Sequence, residues 1–319
     1  MNRDLKLFSI LYVDRAEAKY ANLSSRTGDP IDIYLRCAAL LHASCRANGQ
    51  SLTLLTNRLD LVSERLTALG LTADVAEHNF KRDVPKSIPF YAAHFKLDAM
   101  DAFGEGMYGD VVGLVDIDAV LVRPIPYSDL GADGLLTYDI SAQVTPEFGA
   151  DRVAIDLRAV GAPAGCPPCW YGGEFIVGTA NAFRKLSLEI ENIWPRYKEV
   201  YRRLHHNSDE AVVSAALAVL KHKGFRLLDA GEAKLVSRWW TARTNFEQIP
   251  FRIASDACFW HLPADKPFLA SCAQAGEFDA AVFAREYKSH ARLKLWQRRL
   301  LNQALRLAGK RPKHVGRLT

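Results

Sequence analysis

The sequence predicts an α/β protein with a mostly parallel central sheet flanked by helices. Two observations indicate this fold class. Short apolar or β-branched runs alternate with stretches of helical spacing, and the connections between them are short. One run, Gly109–Val115, is apolar at nearly every position, as expected of a central strand covered on both faces. The composition, with 49% hydrophobic and 24% charged residues among 319, is that of an ordinary folded protein.

The first half of the chain alternates strand and helix. A strand is expected at Leu7–Val13, and a ligand-binding loop could begin at Asp14, where it ends. The first two helices are expected to stop at Asn48-Gly49 and at Gly70, because glycine favours helix C-termini. After the first strand, the elements expected in this half are a helix at 32–47, a strand at 51–56, a helix at 61–69, a strand at 72–76, a helix at 91–103 and a strand at 109–115.

From residue 135 onward the pattern is less regular. A Gly/Pro/Cys-rich loop is expected at 160–173, and Cys166-Pro-Pro-Cys169 within it has no second Cys or His pair at metal-ligand spacing. We interpret these two cysteines as free thiols. The later elements expected are a strand at 174–177, helices at 181–204 and 208–223, and strands at 224–229 and 259–261.

The only Asp-x-Asp sequence in the chain, Asp116-Ile-Asp118, ends the apolar strand. Side chains alternate along an extended chain, so both carboxylates lie on one face and are close enough to share a hard divalent cation. Ligands of open α/β sheets bind outside the carboxyl ends of the strands. The two aspartates are therefore candidate metal ligands, although aspartates after a strand also cap loops.

Other sequences accompany this motif in a recognisable order. Tyr91-Ala-Ala-His-Phe-Lys96 precedes Gly113-Leu-Val-Asp-Ile-Asp118, Pro124 follows, and His261-Leu-Pro-Ala-Asp-Lys266-Pro267-Phe268 comes late. They resemble retaining glycosyltransferases of the GT-A fold, in the family that includes glycogenin and the bacterial lipopolysaccharide galactosyltransferases. The late element corresponds to His-x-x-Gly-x-x-Lys-Pro-Trp in that family. Here it is one residue shorter, lacks the glycine and has Phe in place of Trp.

The resemblance implies a Rossmann-like, nucleotide-sugar-binding GT-A fold and a bound cation. Asp116, Asp118 and His261 would be the metal ligands, and two carboxylates with one imidazole suit Mn²⁺ or Mg²⁺, the imidazole favouring manganese. Such a cation neutralises the charge that develops on a leaving diphosphate. By itself, His261 could also be a hydrogen-bonded core histidine.

The same resemblance implies how a nucleotide diphosphate sugar would bind as the donor substrate. Lys96 and Lys266 would add positive charge around the phosphates that the cation on Asp116 contacts. The Asp14 side of the first strand would hold the base and ribose. The implied reaction is transfer of a hexose from this donor to a glycan or glycolipid acceptor, and retention of anomeric configuration comes from the resemblance alone.

A third element is similar to the acceptor-side segments of retaining transferases, including the blood-group type. It comprises Trp170-Tyr-Gly-Gly-Glu-Phe-Ile-Val-Gly178 and the later His206-Asn-Ser-Asp-Glu210. The resemblance implies Glu174, Asp209 and Glu210 as catalytic carboxylates near the reacting sugar. The residues alone leave other interpretations, since Glu174 could be an exposed edge carboxylate and the other two acids could stabilise a helix N-terminus.

Two other functions remain open at this stage. A sugar nucleotidyltransferase shares the α/β core but should have a Gly-rich, basic phosphate loop after its first strand, and Asp14-Arg-Ala-Glu-Ala-Lys-Tyr20 lacks it. A noncatalytic carbohydrate-binding or nucleotide-sugar-binding protein could keep the fold without turnover. Arg238-Trp239-Trp240 could stack on a sugar, or the aromatic pair could simply pack.

The C-terminal region carries the basic charge. The formal net charge of +5 combines −5 over residues 1–287 with +10 over 288–319, which contain no Asp or Glu. We therefore expect a catalytic domain at 1–278 and a basic amphipathic helix and tail at 279–319. The apolar residues recur at helical spacing and the basic ones surround them: Leu293, Trp296, Leu300, Ala304 and Leu307, with Arg292, Arg298, Arg299 and Arg306.

Such a helix either lies on an anionic membrane surface or packs on the catalytic domain and leaves only Lys310–Thr319 loose. The N-terminal sequence lacks the apolar core of a signal peptide, so we expect a cytoplasmic protein, peripheral on the inner face of the membrane if the helix binds lipid. Nucleic-acid binding is not expected, because the tail has one aromatic residue and no recognition motif.

Overall fold

The strands in the described part of the chain form two sheets. The computed structural model describes residues 5–14, 29–126, 134–274, 278–310, 313 and 315–318. In chain order the strands are β1 Leu5–Leu11, β2 Ser51–Thr56, β3 Asp74–Glu77, β4 Val111–Val115, β5 Ala119–Leu121, β6 Gly134–Asp139, β7 Tyr171–Thr179, β8 Arg226–Asp229, β9 Val236–Arg238 and β10 Phe259–His261.

Helices connect these strands and flank the larger sheet. Two short 3-10 helices, Tyr91–Phe95 and Tyr201–Arg203, adjoin longer ones. Among the described helices, none is both long enough and apolar enough to cross a membrane. The α-helices are α1 Pro30–Ala47, α2 Leu59–Ala68, α3 Lys96–Gly104, α4 Ser141–Phe148, α5 Ala150–Val160, α6 Ala180–Val200, α7 Asp209–His222, α8 Phe251–Ala254, α9 Lys266–Cys272 and α10 Ala280–Leu307.

The larger sheet has seven strands in the order β3-β2-β1-β4-β7-β6-β8. Six run in one direction, and β7 is antiparallel to both of its neighbours. Every residue of β4 is buried, as its apolar sequence predicts for a strand covered on both faces. The expected α/β class with a mostly parallel sheet is confirmed, and the architecture is compatible with a Rossmann-like fold.

The elements match the expectations best where the sequence is uninterrupted. The strands at 51–56 and 259–261 have the expected bounds. The helix expected at 91–103 is divided into a 3-10 turn and α3, and it begins directly after Phe90, whose φ of 54° is left-handed. The region after 135 contains β6, α4 and α5. The helical spacing of α4 and α5 is interrupted by Pro146 within α4 and by Gly149 between the two helices.

A second sheet of three short strands, in the order β5-β10-β9, lies beside the first. β10 is antiparallel to β5 and parallel to β9. The register places His261 opposite Ala119, and the Leu262 amide donates to the Asp118 carbonyl at 3.0 Å. This pairing brings two residues 143 positions apart, Asp118 and His261, to the same end of the sheet.

Helix α10 shares a hydrophobic core with the body of the protein. Phe283, Tyr287, Ala291 and Leu295 recur every four residues and are buried in a cluster that also contains residues of α1, β5, β10 and α9. Val315 and Leu318 of the tail pack against this cluster too. The tail is held there by backbone hydrogen bonds to α8, including one of 2.7 Å from the Phe251 amide to the Arg317 carbonyl.

One buried carboxylate links α10 to the loop between β10 and α9. Asp265, which is 2% exposed, accepts hydrogen bonds from Thr241 Oγ1 at 2.6 Å and Tyr287 OH at 2.9 Å. His290 Nε2 lies 2.9 Å from the same carboxylate. Since Asp265 immediately precedes Lys266, α10 helps to position that lysine.

We expect Asp265→Ala to lower the free energy of unfolding by roughly 3 kcal/mol, because the substitution leaves buried donors on Thr241 and Tyr287 without their acceptor. Urea denaturation followed by circular dichroism measures the change. Asp256→Ala is the matched control, since Asp256 is half exposed and pairs with Lys234 at the surface, where ion pairs contribute little. Equal effects of the two substitutions would contradict the role given to Asp265.

Candidate metal centre and its pocket

Asp116, Asp118 and His261 converge at the junction of the two sheets. The aspartates lie in the turn between β4 and β5, and His261 ends β10. His261 Nε2 lies 3.1 Å from Asp118 Oδ1 and 3.7 Å from Asp116 Oδ2. One ligand atom from each residue lies within 4.8 Å of the others. Atoms bound to one cation stand about 2–2.5 Å from it, so these three residues could hold one metal ion.

A lysine contacts the other oxygen of each aspartate. Lys96 Nζ is 2.5 Å from Asp116 Oδ1, and Lys266 Nζ is 2.5 Å from Asp118 Oδ2. Each carboxylate therefore faces a lysine with one oxygen and His261 with the other. The Asp116 side chain is 23% exposed whereas Asp118 is 6% exposed, so an ion would reach the cluster from the Asp116 side.

The charged neighbours set the protonation states of this cluster. Burial raises the pKa of Asp118, but Lys266 and His261 outweigh it and hold this pKa well below its usual range. Burial dominates at Asp116, whose pKa is raised. Burial lowers the pKa of Lys96 and Lys266, yet the adjacent carboxylates outweigh it and raise both values, so both ammonium groups stay charged at neutral pH.

Glu174 and Arg238 fix the orientation of His261 from behind. Glu174 is completely buried on β7, and its Oε1 lies 3.3 Å from His261 Nδ1. Arg238 on β9 donates to both oxygens of Glu174, with Nε at 2.5 Å from Oε1. A carboxylate on one imidazole nitrogen leaves the other nitrogen directed at the metal position, which is the usual arrangement behind a histidine ligand. Burial raises the pKa of Glu174, but Arg238 outweighs it and lowers the value.

Arg238 also holds Glu210, at the start of α7, on the pocket side. Its Nη2 lies 2.6 Å from Glu210 Oε1, and Trp170 Nε1 donates to Glu210 Oε2 at 3.0 Å. Burial raises the pKa of Glu210, but Arg238 outweighs it and lowers the pKa to about 2. Glu210 is therefore a charged hydrogen-bond acceptor at neutral pH.

Gly172 and Gly173 of β7 allow these side chains to come together. A Cβ atom at residue 172 would stand 2.0 Å from Glu174 Oε2, and one at residue 173 would stand 2.4 Å from Asp209 Oδ2. Lys96 also donates to the Gly173 carbonyl at 2.9 Å. Any larger residue at either position would displace part of the charged cluster.

A pocket of about 510 Å³ opens over the cluster. Asp209 lies on its wall at the N-terminus of α7, and its Oδ2 is buried without a hydrogen-bond partner among the described residues, with Lys96 Nζ 3.6 Å away. Its charge is therefore balanced by the Lys96 ammonium alone, without a hydrogen bond among the described residues. Aromatic side chains form much of the remaining wall: Tyr12, Tyr34, Phe90, Phe148, Trp170, Trp240 and Phe246.

The structure brings together all but one of the residues singled out in the sequence. The residues grouped at this site are Lys96, Asp116, Asp118, Glu174, Asp209, Glu210, His261 and Lys266. Asp14 is exposed and is not among the described residues that line the pocket. Ile10, Leu11 and Tyr12, from the same segment, do line it.

One of the simpler interpretations is wrong. Glu174 is not an exposed edge carboxylate, because β7 lies between β4 and β6 and the side chain is fully buried. Asp209 and Glu210 do lie in the first turn of α7, where acids stabilise a helix N-terminus, and Ser208 supplies the side-chain cap by accepting from the Glu210 amide. His261 is both a buried, hydrogen-bonded histidine and a member of the candidate metal cluster.

The main residue that the sequence did not identify is Arg238. In the sequence it stands out only beside two tryptophans, of which Trp239 is buried in the core and Trp240 lines the pocket. Its partner Glu174 is 64 positions away, so no local spacing signals the pair. Gly172-Gly173 was the available signal, since adjacent glycines in a strand often mark close approach of other groups.

Neither a protein-family model nor a curated protein matches this chain. The functional argument therefore depends on the geometry and electrostatics of the site. The site combines three residues that could hold one cation, two charged lysines beside them, and a pocket lined by further buried carboxylates.

We expect the affinity for Mn²⁺ to rise about tenfold per pH unit between pH 6.5 and 8. Burial lowers the pKa of His261, but Asp118 and Glu174 outweigh it and raise the value to about 9. The imidazole is thus protonated below that pH in the metal-free protein, and a cation must displace the proton. Calorimetric titration in two buffers of different ionisation enthalpy measures both affinity and proton release.

His261→Asn should bind more weakly and lose most of the pH dependence. His222→Gln is the control, because His222 is exposed in the last turn of α7 and should leave the dependence unchanged. An affinity for Mn²⁺ that is the same at pH 6.5 and pH 8 would remove His261 from the ligand set.

Proposed function

We propose that the protein is a metal-dependent glycosyltransferase of the GT-A type, which transfers a hexose from a nucleotide diphosphate sugar to a glycan or glycolipid acceptor with retention of configuration. The observation that carries the proposal is the joining of Asp116, Asp118 and His261 with Lys96 and Lys266 at one end of the pocket. This end lies at the carboxyl terminus of β4, where ligands of open α/β sheets bind.

The charge of the site supports a cation and an anionic ligand. With a neutral His261, three side-chain cations face five carboxylates, a formal charge of −2 that one divalent ion balances. The cations are Lys96, Arg238 and Lys266, and the carboxylates are Asp116, Asp118, Glu174, Asp209 and Glu210. A diphosphate bound to the cation would also meet the ammonium groups of Lys96 and Lys266, which stay charged.

In this proposal the cation supplies Lewis-acid stabilisation of the leaving diphosphate. Lys96 and Lys266 hold the phosphate oxygens and the aspartate ligands at once. Glu174 is a positioning residue, since it contacts His261 and Arg238 and lies behind the pocket. This differs from the expectation of a catalytic role for Glu174 next to the sugar.

Asp209 and Glu210 are the carboxylates proposed to face the reacting sugar. Glu210 has a pKa of about 2, so it suits stabilisation of positive charge on an oxocarbenium-like transition state better than proton transfer. Asp209 lines the pocket, and its Oδ2 accepts no hydrogen bond from the described residues, so a small shift of this side chain would let it accept one from a sugar hydroxyl. Trp240 and Phe246 are stacked at 5.6 Å between ring centroids on the pocket wall, where an acceptor sugar could pack.

Metal-dependent release of nucleoside diphosphate tests the proposed activity. We expect one or more nucleotide sugars to be hydrolysed or transferred with Mn²⁺, EDTA to stop turnover, and Asp118→Asn to lower kcat by roughly 100-fold or more. Asp256→Asn, at a half-exposed surface carboxylate, should leave turnover unchanged. Binding of a donor without turnover would favour the noncatalytic alternative, and donor turnover unaffected by EDTA would overturn the metal assignment.

Separate variants distinguish the carboxylates in the pocket from the one behind it. Asp209→Asn and Glu210→Gln should lower kcat while metal affinity is kept, since neither residue is a ligand. Glu174→Gln should instead weaken Mn²⁺ binding by roughly 10- to 100-fold through the orientation of His261. Thermal unfolding of each variant checks that it is folded. If Asp209→Asn and Glu210→Gln both retain normal kcat, the proposed acceptor-side role of these residues is lost.

A further inference from the structure

Helix α10 has two apolar faces, and only one is covered. Its inner face packs into the core through the four residues described above. Four further apolar residues are exposed by 56% at Leu293, 60% at Trp296, 45% at Leu300 and 91% at Leu307. At about 100° per residue these four fall within a sector of roughly 60° on the side opposite the inner face. We refer to these four residues as the outer stripe.

Basic side chains lie along one flank of the outer stripe. Lys288, Arg292, Arg299 and Arg306 follow at intervals of four or seven residues and are exposed. Among the described residues, no carboxylate forms an ion pair with any of them. Residues 288–319 contain no Asp or Glu, so this flank carries an unbalanced positive charge.

Residues 315–318, which follow α10, pack on the body of the protein and not over the outer stripe. Gly316 lies against the Trp239 ring, and Val315 and Leu318 pack on the core cluster that the inner face joins. The Arg252 amide donates to the Leu318 carbonyl at 3.1 Å. These contacts contradict the expectation of a loose tail at residues 315–318, and they hold this segment on the body of the protein.

We propose that the outer stripe of α10 binds the surface of an anionic lipid bilayer. An apolar strip with a tryptophan and flanking lysines and arginines matches the boundary between acyl chains and negatively charged headgroups. Nucleic acid would need basic residues where the apolar residues stand. A second copy of the chain would bring two strongly basic helices together, and their repulsion disfavours such a dimer.

The inner face makes this docking rigid. Tyr287 and His290 contact Asp265, which precedes Lys266, so one helix contacts both the proposed lipid surface and the loop of the metal centre. Lipid binding therefore needs no unfolding of α10 from the body. If the proposed transferase activity also holds, this arrangement places a membrane lipid within the class of acceptors. The acceptor assignment rests on the proposed function, whereas lipid binding does not.

Co-sedimentation of the full-length protein with vesicles tests the proposal without any assay of turnover. The protein should bind vesicles of 30% phosphatidylglycerol in phosphatidylcholine at low salt, should be released by high salt, and should not bind pure phosphatidylcholine. Trp296→Ala with Leu300→Ser should weaken binding at least tenfold. Lys288→Gln, Arg292→Gln and Arg306→Gln together should weaken it on the order of 100-fold, at about fivefold per basic residue.

Matched controls change exposed residues elsewhere on the surface. Met107→Ser with Leu188→Ser removes two side chains that are 63% and 60% exposed, and Lys86→Gln, Arg158→Gln and Lys221→Gln removes three exposed charges. Both control proteins should bind vesicles like the unaltered chain. Equal binding to neutral vesicles, no binding to anionic ones, or full binding by the outer-stripe variant overturns the proposal. A dimer in sedimentation velocity that Trp296→Ala dissociates would instead make the stripe a self-association surface and overturn it.

Discussion

The hydrogen bond between Asp118 and His261 is the contact on which the arrangement of the site depends. It joins the end of the central strand β4 to the end of β10 in the second sheet, at 3.1 Å and almost out of contact with solvent. Asp118 also pairs with Lys266. His261 in turn contacts Glu174, which pairs with Arg238. Buried charges of this kind are stable only when they are paired, because an unpaired buried charge loses its hydration without compensation.

This chain of charged groups explains several local features at once. Gly172 and Gly173 have no side chains because Glu174 and Asp209 occupy that space. The parallel pairing of β9 and β10 places Arg238 level with His261, so that both reach Glu174. The second sheet has strands of only three residues, and its main consequence is to align these side chains. The pairing of these short strands thus orients the imidazole of His261 and the carboxylates of Asp116 and Asp118.

The C-terminal helix connects two environments that are usually separate. Its inner face belongs to a hydrophobic core and helps to hold Asp265, while its outer stripe is apolar and exposed beside basic residues that form no ion pair with the described carboxylates. An amphipathic helix of a soluble protein normally has one apolar face, directed to the core. The exposed second face of α10 is therefore a candidate binding surface. The positive charge along its flank favours an anionic partner.

The sequence by itself determined the fold class and most of the site. Strand and helix periodicity is a local property, so the alternation from β1 to β4 could be predicted, and the apolar run of β4 located Asp116 and Asp118 at its end. The sequence did not predict α4 and α5, because Pro146 and Gly149 interrupt the helical spacing of their apolar residues. The chain order of Lys96, the aspartates and His261 indicated the remaining members of the cluster only through resemblance.

Only the tertiary structure decided how these residues act together. Arg238 on β9 reaches Glu174 in the other sheet because β9 pairs with β10 beside His261, and no spacing along the chain encodes this contact. Glu174 lies behind His261 instead of beside the pocket because β7 is an interior strand. Likewise, helical spacing predicted one apolar stripe on α10, but packing decided that the residues at 283, 287, 291 and 295 face the core and that the predicted stripe faces outward. Burial is a property of the assembled chain, since each residue's environment depends on elements distant in sequence.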